Sequence, residues 1–318
     1  MKLFDAKRYE DFPKPLRKHK YIFIFAMLIL SVISFAVFYV GINLQSILLA
    51  FRKFIRENPA DPGHYVWSLD NFRNIFSELS GNSQSSTQLL RAFKNTLLLF
   101  VFGNGVTMPV SFLASYYFWK KAPGYKFFRV VLYIPSIMSS VVMAIIFKNL
   151  VDANGFVSHL YMAITGSAEA LPSYLKQDST AIWFVIIYIC WVDLGGHYLL
   201  FTAALHRIPE EIVESANLDG VTPLREFFSI CIPLIWPTLY IILLQKVAGI
   251  LSADGPILVL TNGDNKTYTL GFWSYMQVIV NHSYEFPAAV GLLMTAVVAP
   301  IAIISKVLMS KVFKDVEY

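Results

Sequence analysis

Six long apolar runs constrain this chain more than any other feature of its sequence. A helix needs roughly twenty apolar residues to cross a bilayer, and each run approaches or exceeds that length. The runs extend from about Tyr21 to Ala50, Phe93 to Trp119, Phe127 to Phe147, Ala181 to Leu205, Phe228 to Leu251 and Pro287 to Leu308. Because lipid cannot satisfy backbone polar groups, spans of this length should be helical. The sequence therefore predicts an all-α integral membrane protein with six transmembrane helices.

The composition agrees with a membrane protein and argues against other classes. Of the 318 residues, 56% are hydrophobic and 15% are charged, and the mean hydropathy is +0.55. The net charge of +5 does not indicate nucleic-acid binding, because the basic residues lie beside apolar runs rather than along one soluble face. Cys190 and Cys231 both lie within apolar runs, without the spacing of a disulfide framework or a zinc site.

The distribution of Lys and Arg predicts the orientation of the chain. Six spans place both termini on one side, and basic residues favour the cytoplasmic flanks. The first twenty residues are dense in Lys and Arg, although the first outer loop, from Arg52 on, is basic as well. We therefore predict a cytoplasmic N-terminus over 1–20, a six-span domain over 21–312 and a cytoplasmic tail over 313–318. The first apolar run is too long for a cleavable signal peptide and should remain as a signal anchor.

Motifs for catalysis or nucleotide binding are missing from the sequence. It contains no GxxxxGK[ST] loop, no HExxH helix and no GxSxG elbow, and its histidines are scattered without ligand spacing. We therefore expect no enzyme activity, no cofactor and no metal on this chain. Any soluble catalytic machinery should belong to another chain.

The predicted inner loop between the fourth and fifth spans, residues 206–226, is polar for so apolar a chain. Pro209 suits the first turn of a helix, and the acidic residues that follow it would lie near the positive end of the helix dipole. Gly220 can adopt the left-handed conformation that ends helices. Thr222 and Pro223 then form a cap and first-turn pair. The loop should be a helix, a sharp glycine turn and a second helix.

Two interpretations of this loop remain open from the residues alone. It could be an amphipathic connector that lies among the lipid headgroups, or a docking element for another protein. Its acidic residues favour docking, because the anionic lipids of the inner leaflet would repel them. These residues are Glu210, Glu211, Glu214 and Asp219.

The same loop resembles the EAA signature of permease subunits in ABC importers that depend on a binding protein. The residues that match this signature in order and spacing are Glu214-Ser215-Ala216, Asp219-Gly220, Ile230, Ile232 and Pro233. The loop departs from the signature at Ser215 and Val221, where the family usually has alanine. Supporting stretches look like the sugar-permease branch, of the maltose-transporter type. They are Asn95-Thr96, Phe127-Phe128-Arg129 with Pro135 and Ser139, and Leu260-Thr261-Asn262-Gly263.

The resemblance implies a type I ABC importer permease core in a bacterial or archaeal cell membrane. It implies as partners a second permease subunit in a heterodimer, a dimer of ATPases that hold ATP and Mg, an extracellular solute-binding protein and membrane lipid. Nucleic acid is not among them. The residues it indicates for coupling to the ATPase are Glu210, Glu211, Glu214, Ser215, Ala216, Asp219 and Gly220.

Two ionisable residues within predicted spans are candidates for the substrate path. A charge at a helix centre costs about 2.5–3.5 kcal/mol on insertion scales, so such residues are functional candidates. Asp193 could instead make a structural ion pair, and Lys246 could extend its ammonium to the outer interface. A carbohydrate site also needs stacking aromatics and hydrogen-bonding groups. The substrate-lining candidates are Trp191, Asp193, Gly196, Tyr198, Gln245, Lys246 and Ser252.

These features predict a permease subunit of an ATP-driven importer for a sugar or oligosaccharide, working by alternating access. One alternative is an anionic solute, such as a uronate oligosaccharide or a sugar phosphate, which Lys246 would favour. Another is an ion-coupled secondary transporter with Asp193 as the coupling carboxylate. The lack of detectable inverted repeats counts against this second alternative.

Overall fold

The computed structural model describes residues 14–56, 63–80, 86–250 and 255–312, and helices predominate in them. The α-helices are α1 Lys14–Ser34, α2 Ile42–Ala50, α3 Asp70–Leu79, α4 Ser86–Trp119, α5 Tyr125–Ile137, α6 Ser140–Val151, α7 Phe156–Thr165, α8 Ala181–Leu205, α9 Glu210–Leu218, α10 Pro223–Glu226, α11 Ile232–Ala248, α12 Gly255–Leu260, α13 Leu270–Ile279 and α14 Glu285–Val312. Most of the predicted N-terminal segment, the predicted tail over 313–318 and Ser252 lie outside the described residues.

Shorter elements connect these helices. π-Helical segments join α1 to α2 and α10 to α11, at Phe35–Gly41 and Phe227–Cys231. A 3-10 turn, Tyr174–Lys176, precedes α8. Between α2 and α3, β1 (Arg52–Ile55) pairs antiparallel with β2 (His64–Trp67).

Six helical stretches of the described chain are long and apolar enough to cross a membrane. They are Lys20–Ala50, Gln88–Trp119, Ser140–Thr165, Ala181–Leu205, Pro223–Ala248 and Glu285–Met309. In the first, none of the most apolar window is buried within the chain. An apolar helix with no buried face needs lipid or another chain to cover it. The prediction of a six-span helical membrane protein is confirmed.

The third span departs from the predicted single helix over 127–147. The chain breaks between α5 and α6, where Met138 and Ser139 adopt ψ angles of 155° and 132°. Ser139 is the N-cap of α6, and its side chain makes no capping hydrogen bond. The membrane-length stretch therefore begins at Ser140 and continues to the end of α7.

The helices α4 and α8 form the main packing pair of the bundle. Ser111 Oγ donates to the Leu194 carbonyl at 3.1 Å, and Ser115 Oγ donates to the Tyr198 carbonyl at 2.9 Å. Such hydrogen bonds between helices are typical of membrane bundles, where small polar residues lie at the contact. The pair fixes the second span against the fourth.

Gly195 allows α5 to pack closely against α8. A Cβ at Gly195 would lie 2.5 Å from the Leu132 carbonyl oxygen, whereas a Cβ at Gly196 would meet nothing within 4 Å. Alanine improves helix propensity at both positions by about 1 kcal/mol. Only at Gly195 does it overpack the contact, which typically costs about 1–3 kcal/mol.

We therefore expect Gly195→Ala to lower the melting temperature of the purified protein and Gly196→Ala to leave it unchanged or raise it slightly. Thermal unfolding in detergent, followed by intrinsic fluorescence, measures both. Equal melting temperatures for the two variants would contradict the close approach of α5.

Candidate functional site

A cavity of about 340 Å³ opens among the second, fourth and fifth spans. Its volume lies in the range of small-molecule sites. One wall is α4, between Thr96 and Asn104, and the opposite wall is the stretch of α8 from Tyr188 to Asp193. Ser140 in α6, Lys246 at the end of α11 and Pro256 in α12 are among the other lining residues. The walls are mainly apolar, and the ionisable lining residues are Tyr188, Asp193 and Lys246.

Asp193 and Lys246 form an ion pair in the wall of this cavity. Lys246 Nζ lies 2.9 Å from Asp193 Oδ2, and the two side chains are 31% and 35% exposed, respectively. The pair joins α8 to α11. Of the alternatives left open by the sequence, the structure shows pairing rather than extension of the Lys246 ammonium to the interface. Pairing lowers the cost of holding either charge within the membrane.

The other substrate-lining candidates lie away from this cavity. Trp191 is half-buried and packs near Phe147, with ring centroids 6.1 Å apart. Tyr198 is 1% exposed and packs edge-on against Phe118. Gly196 and Gln245 are exposed outside the cavity lining. Of the described candidates, the structure brings only Asp193 and Lys246 together.

Asn104 lines the cavity, although it was not among the substrate-lining candidates predicted from the sequence. Its Nδ2 donates to the Phe100 carbonyl at 2.8 Å within the same helix, so it does not bridge two helices by that bond. A signal was present in the sequence, because a polar side chain within an apolar run is a candidate for function.

The loop over 206–226 has the predicted helix, turn and helix. The first helix is α9, and Gly220 follows it with a φ of +68°. Thr222 is the N-cap of α10 and Pro223 opens that helix. Pro209 is the N-cap of α9 instead of a residue of its first turn, with a ψ of 136°. The local caps and the glycine therefore specify this loop as expected.

The outer face of α9 combines carboxylates with exposed apolar side chains. All the predicted coupling residues except the buried Ala216 are exposed. Leu218 is 89% exposed and Leu224, at the start of α10, is 72% exposed. On the opposite side, Val213 packs against the cluster around Phe227. These carboxylates and the two leucine side chains are therefore accessible to a partner surface.

A buried carboxylate at the end of this loop escaped the sequence analysis. Glu226 in α10 is 3% exposed, and its Oε1 lies 2.7 Å from Lys120 Nζ, just beyond the end of α4. Tyr116 Oη donates to Glu226 Oε2 at 3.3 Å. Its position within a polar loop gave no sign of burial, because the partner residues are far away in sequence.

Six apolar helical stretches, an internal cavity and a structured polar loop between two of the spans define a membrane permease. Residues 107–317 match the family model described as "Binding-protein-dependent transport system inner membrane component". The chain belongs to this family.

Curated relatives share modest identity over much of the chain. The multiple sugar-binding transport system permease protein MsmF of Streptococcus mutans is 26% identical over 200 residues, which are 61% of this chain and 66% of MsmF. The arabinooligosaccharides transport system permease protein AraP of Bacillus subtilis is 22% identical over 281 residues, which are 86% of this chain and 84% of AraP. The relatives are transport permease proteins by name.

A solved structure shares the fold. It is a chain of a bacterial ABC transporter involved in the import of the acidic polysaccharide alginate. The two chains superpose with a TM-score of 0.77 at 21% identity, over 95% of this chain and all of the other. The predicted permease core is thereby confirmed at the level of fold.

Proposed function

We propose that this chain is one permease subunit of an ATP-driven importer for a sugar or oligosaccharide delivered by an extracellular binding protein. The observation that carries the proposal is the exposed α9 face, with its carboxylates and Leu218, in a member of this family. The names of MsmF and AraP support a saccharide as substrate. A second permease subunit, forming a heterodimer, and two ATPases complete the assembly. ATP and Mg belong to those ATPases.

The structure supports a path for coupling from α9 to the cavity. The loop follows α8 and leads into α11, and Ile208, Phe227 and Cys231 pack in one buried cluster at its base. Asp193 and Lys246 lie further along the same two helices. A displacement of α9 by the ATPases would therefore move both helices that carry the ion pair. Such rigid-body motion would alternate the opening of the cavity between the two sides.

The ion pair favours a neutral saccharide over an anionic one. Lys246 is neutralised by Asp193 at 2.9 Å, so it does not add a net positive charge to the cavity wall. The anionic alternative has its own support, because the sn-glycerol-3-phosphate permease UgpA of Yersinia pseudotuberculosis is 25% identical over 215 residues. Competition for uptake separates the two. We expect neutral oligosaccharides to compete, whereas competition by uronates or sugar phosphates alone would reverse the assignment.

We further propose that α9 and both termini are cytoplasmic. After replacement of the native cysteines, Leu218→Cys should react with an impermeant maleimide only in inside-out vesicles. Ala168→Cys, on the exposed loop after α7, serves as the control for the other side. We expect it to react only in right-side-out vesicles. Labelling in the reverse pattern would contradict the proposed orientation.

Energy coupling distinguishes the importer from the ion-coupled alternative. We expect uptake in cells to stop when the ATPase subunit is removed, and to survive collapse of the ion gradient while ATP is maintained. Uptake that survives loss of the ATPase but stops with the gradient would establish a secondary transporter instead.

A further inference from the structure

Polar contacts to the buried Glu226 link the cytoplasmic end of the second span to the loop over 206–226, called the coupling loop from here on. Lys120 Nζ lies 2.7 Å from Glu226 Oε1. Tyr116 Oη lies 3.1 Å from the Pro223 carbonyl oxygen and 3.3 Å from Glu226 Oε2. Lys120 is 30% exposed, whereas Glu226 is 3% exposed. The link therefore joins a partly exposed lysine at the end of α4 to a buried carboxylate in α10.

The second span packs along α8, but the chain does not join it to α9 or α10, so this link is its direct polar contact with the loop. Helices α8 and α11 are connected to the coupling loop through the backbone. Helix α4, which forms a full wall of the cavity, touches that loop only through side chains. Phe227 packs on Phe112 and Tyr116, with ring centroids 4.5 Å and 5.2 Å away. Apolar contacts of this kind are non-directional, so they resist sliding less than an ion pair does.

We propose that Lys120 and Glu226 are positioning residues that make the second span move together with α10. A buried carboxylate that loses its partner is strongly destabilised. When the ATPases displace the coupling loop, the pair therefore stays closed and α4 follows. The π-helical segment Phe227–Cys231 begins directly after Glu226, and such segments are frequent at functional sites. The second span is then held at two places, along α8 by packing and at α10 by the ion pair.

This inference rests on the proposed coupling function, and its test compares uptake with ATP hydrolysis in the assembled transporter. The complex is reconstituted in proteoliposomes, and substrate uptake per ATP hydrolysed is measured for each variant. We expect Glu226→Gln to lower this ratio about tenfold, within the usual range of coupling between sites. ATP hydrolysis itself should continue. The charge-exchanged variant Lys120→Glu with Glu226→Lys should restore most of the ratio.

A second ion pair provides the matched control. Lys266 Nζ lies 2.7 Å from Asp178 Oδ2, and both side chains are about half exposed. Asp178→Asn removes a pair of the same length that does not join α4 to the coupling loop. Exposed pairs contribute little, so we expect uptake per ATP to be unchanged.

A milder variant serves if Glu226→Gln prevents assembly. Tyr116→Phe removes only a hydroxyl and should also lower uptake per ATP.

The possible results separate the link from the coupling function itself. If the wild-type complex couples uptake to hydrolysis and Glu226→Gln or Tyr116→Phe leaves uptake per ATP unchanged, the proposed role of the link is refuted. A proportional loss of uptake and hydrolysis, or a charge exchange without rescue, also overturns it, because either result indicates a structural role alone. A wild-type complex that hydrolyses ATP without importing substrate refutes the proposed function instead.

Discussion

Gly220→Pro is expected to uncouple ATP hydrolysis from uptake while the chain still inserts in the membrane. Gly220 has a φ of +68°, which proline cannot adopt because its ring holds φ near about −65°. The substitution also removes the N–H that donates to the Asn217 carbonyl at 3.1 Å. The turn between α9 and α10 would be lost, and the α9 face would no longer be held in place. Uptake per ATP should fall at least about tenfold.

Gly166 offers a control of the same conformation. It also has a φ of +68°, its N–H donates to the Met162 carbonyl at 2.9 Å, and a Cβ at either glycine would meet nothing within 4 Å. Gly166→Pro therefore causes similar local damage at the end of α7, outside the coupling loop. We expect uptake per ATP to be preserved in this variant. An equal loss in both variants would show that general destabilisation, and not the turn, explains the effect.

The second large effect is expected at the ion pair in the cavity. Asp193→Asn or Lys246→Gln leaves one charge unpaired within the membrane, at a cost below the roughly 2.5–3.5 kcal/mol of a charge at a helix centre, because both side chains are partly exposed to the cavity. Each single variant should therefore lower both the amount of folded protein and its uptake. The double variant removes both charges and should recover thermal stability. Melting temperature and initial uptake rate, normalised to the amount of protein, measure the two effects separately.

The double variant decides what the pair does. If Asp193 and Lys246 contribute to substrate binding, the stable double variant should still import poorly, with a raised KM. Full uptake with the original KM in the double variant would show that the pair is a structural contact and does not contribute to substrate binding. Full uptake by Asp193→Asn alone would contradict both roles and would also exclude Asp193 as a coupling carboxylate.

Local signals made the helix, turn and helix of the loop over 206–226 predictable from the sequence. Its glycine, its Thr-Pro cap and its acidic first turn act within a few residues, so they can be interpreted without knowing the tertiary fold. The span count was predictable for the same reason, since each span is a continuous apolar run. The break at Met138 and Ser139 was missed because the surrounding run is apolar enough to continue as one span, and serines within such a run are compatible with a continuous helix.

Contacts between distant residues set the limit of prediction for the candidate site. Asp193 and Lys246 are 53 positions apart, and Tyr116 and Glu226 are 110 apart. The sequence identified Asp193 and Lys246 as intramembrane charges, but it did not predict their contact. Glu226 was not among the predicted candidates. Burial could not be predicted for Tyr198 either, because this aromatic residue, suited to sugar stacking, packs against Phe118.

In the proposed function the α9 face contacts an ATPase, and a photoreactive amino acid at position 218 probes that contact. Leu218 is 89% exposed, so the replacement should not disturb the fold. The same replacement at Ala168, on the opposite side in the proposed orientation, is the control. We expect an adduct with the ATPase subunit from position 218 and none from position 168. An assembled, active transporter that gives no ATPase adduct from position 218, or gives one from position 168, would contradict the proposed contact.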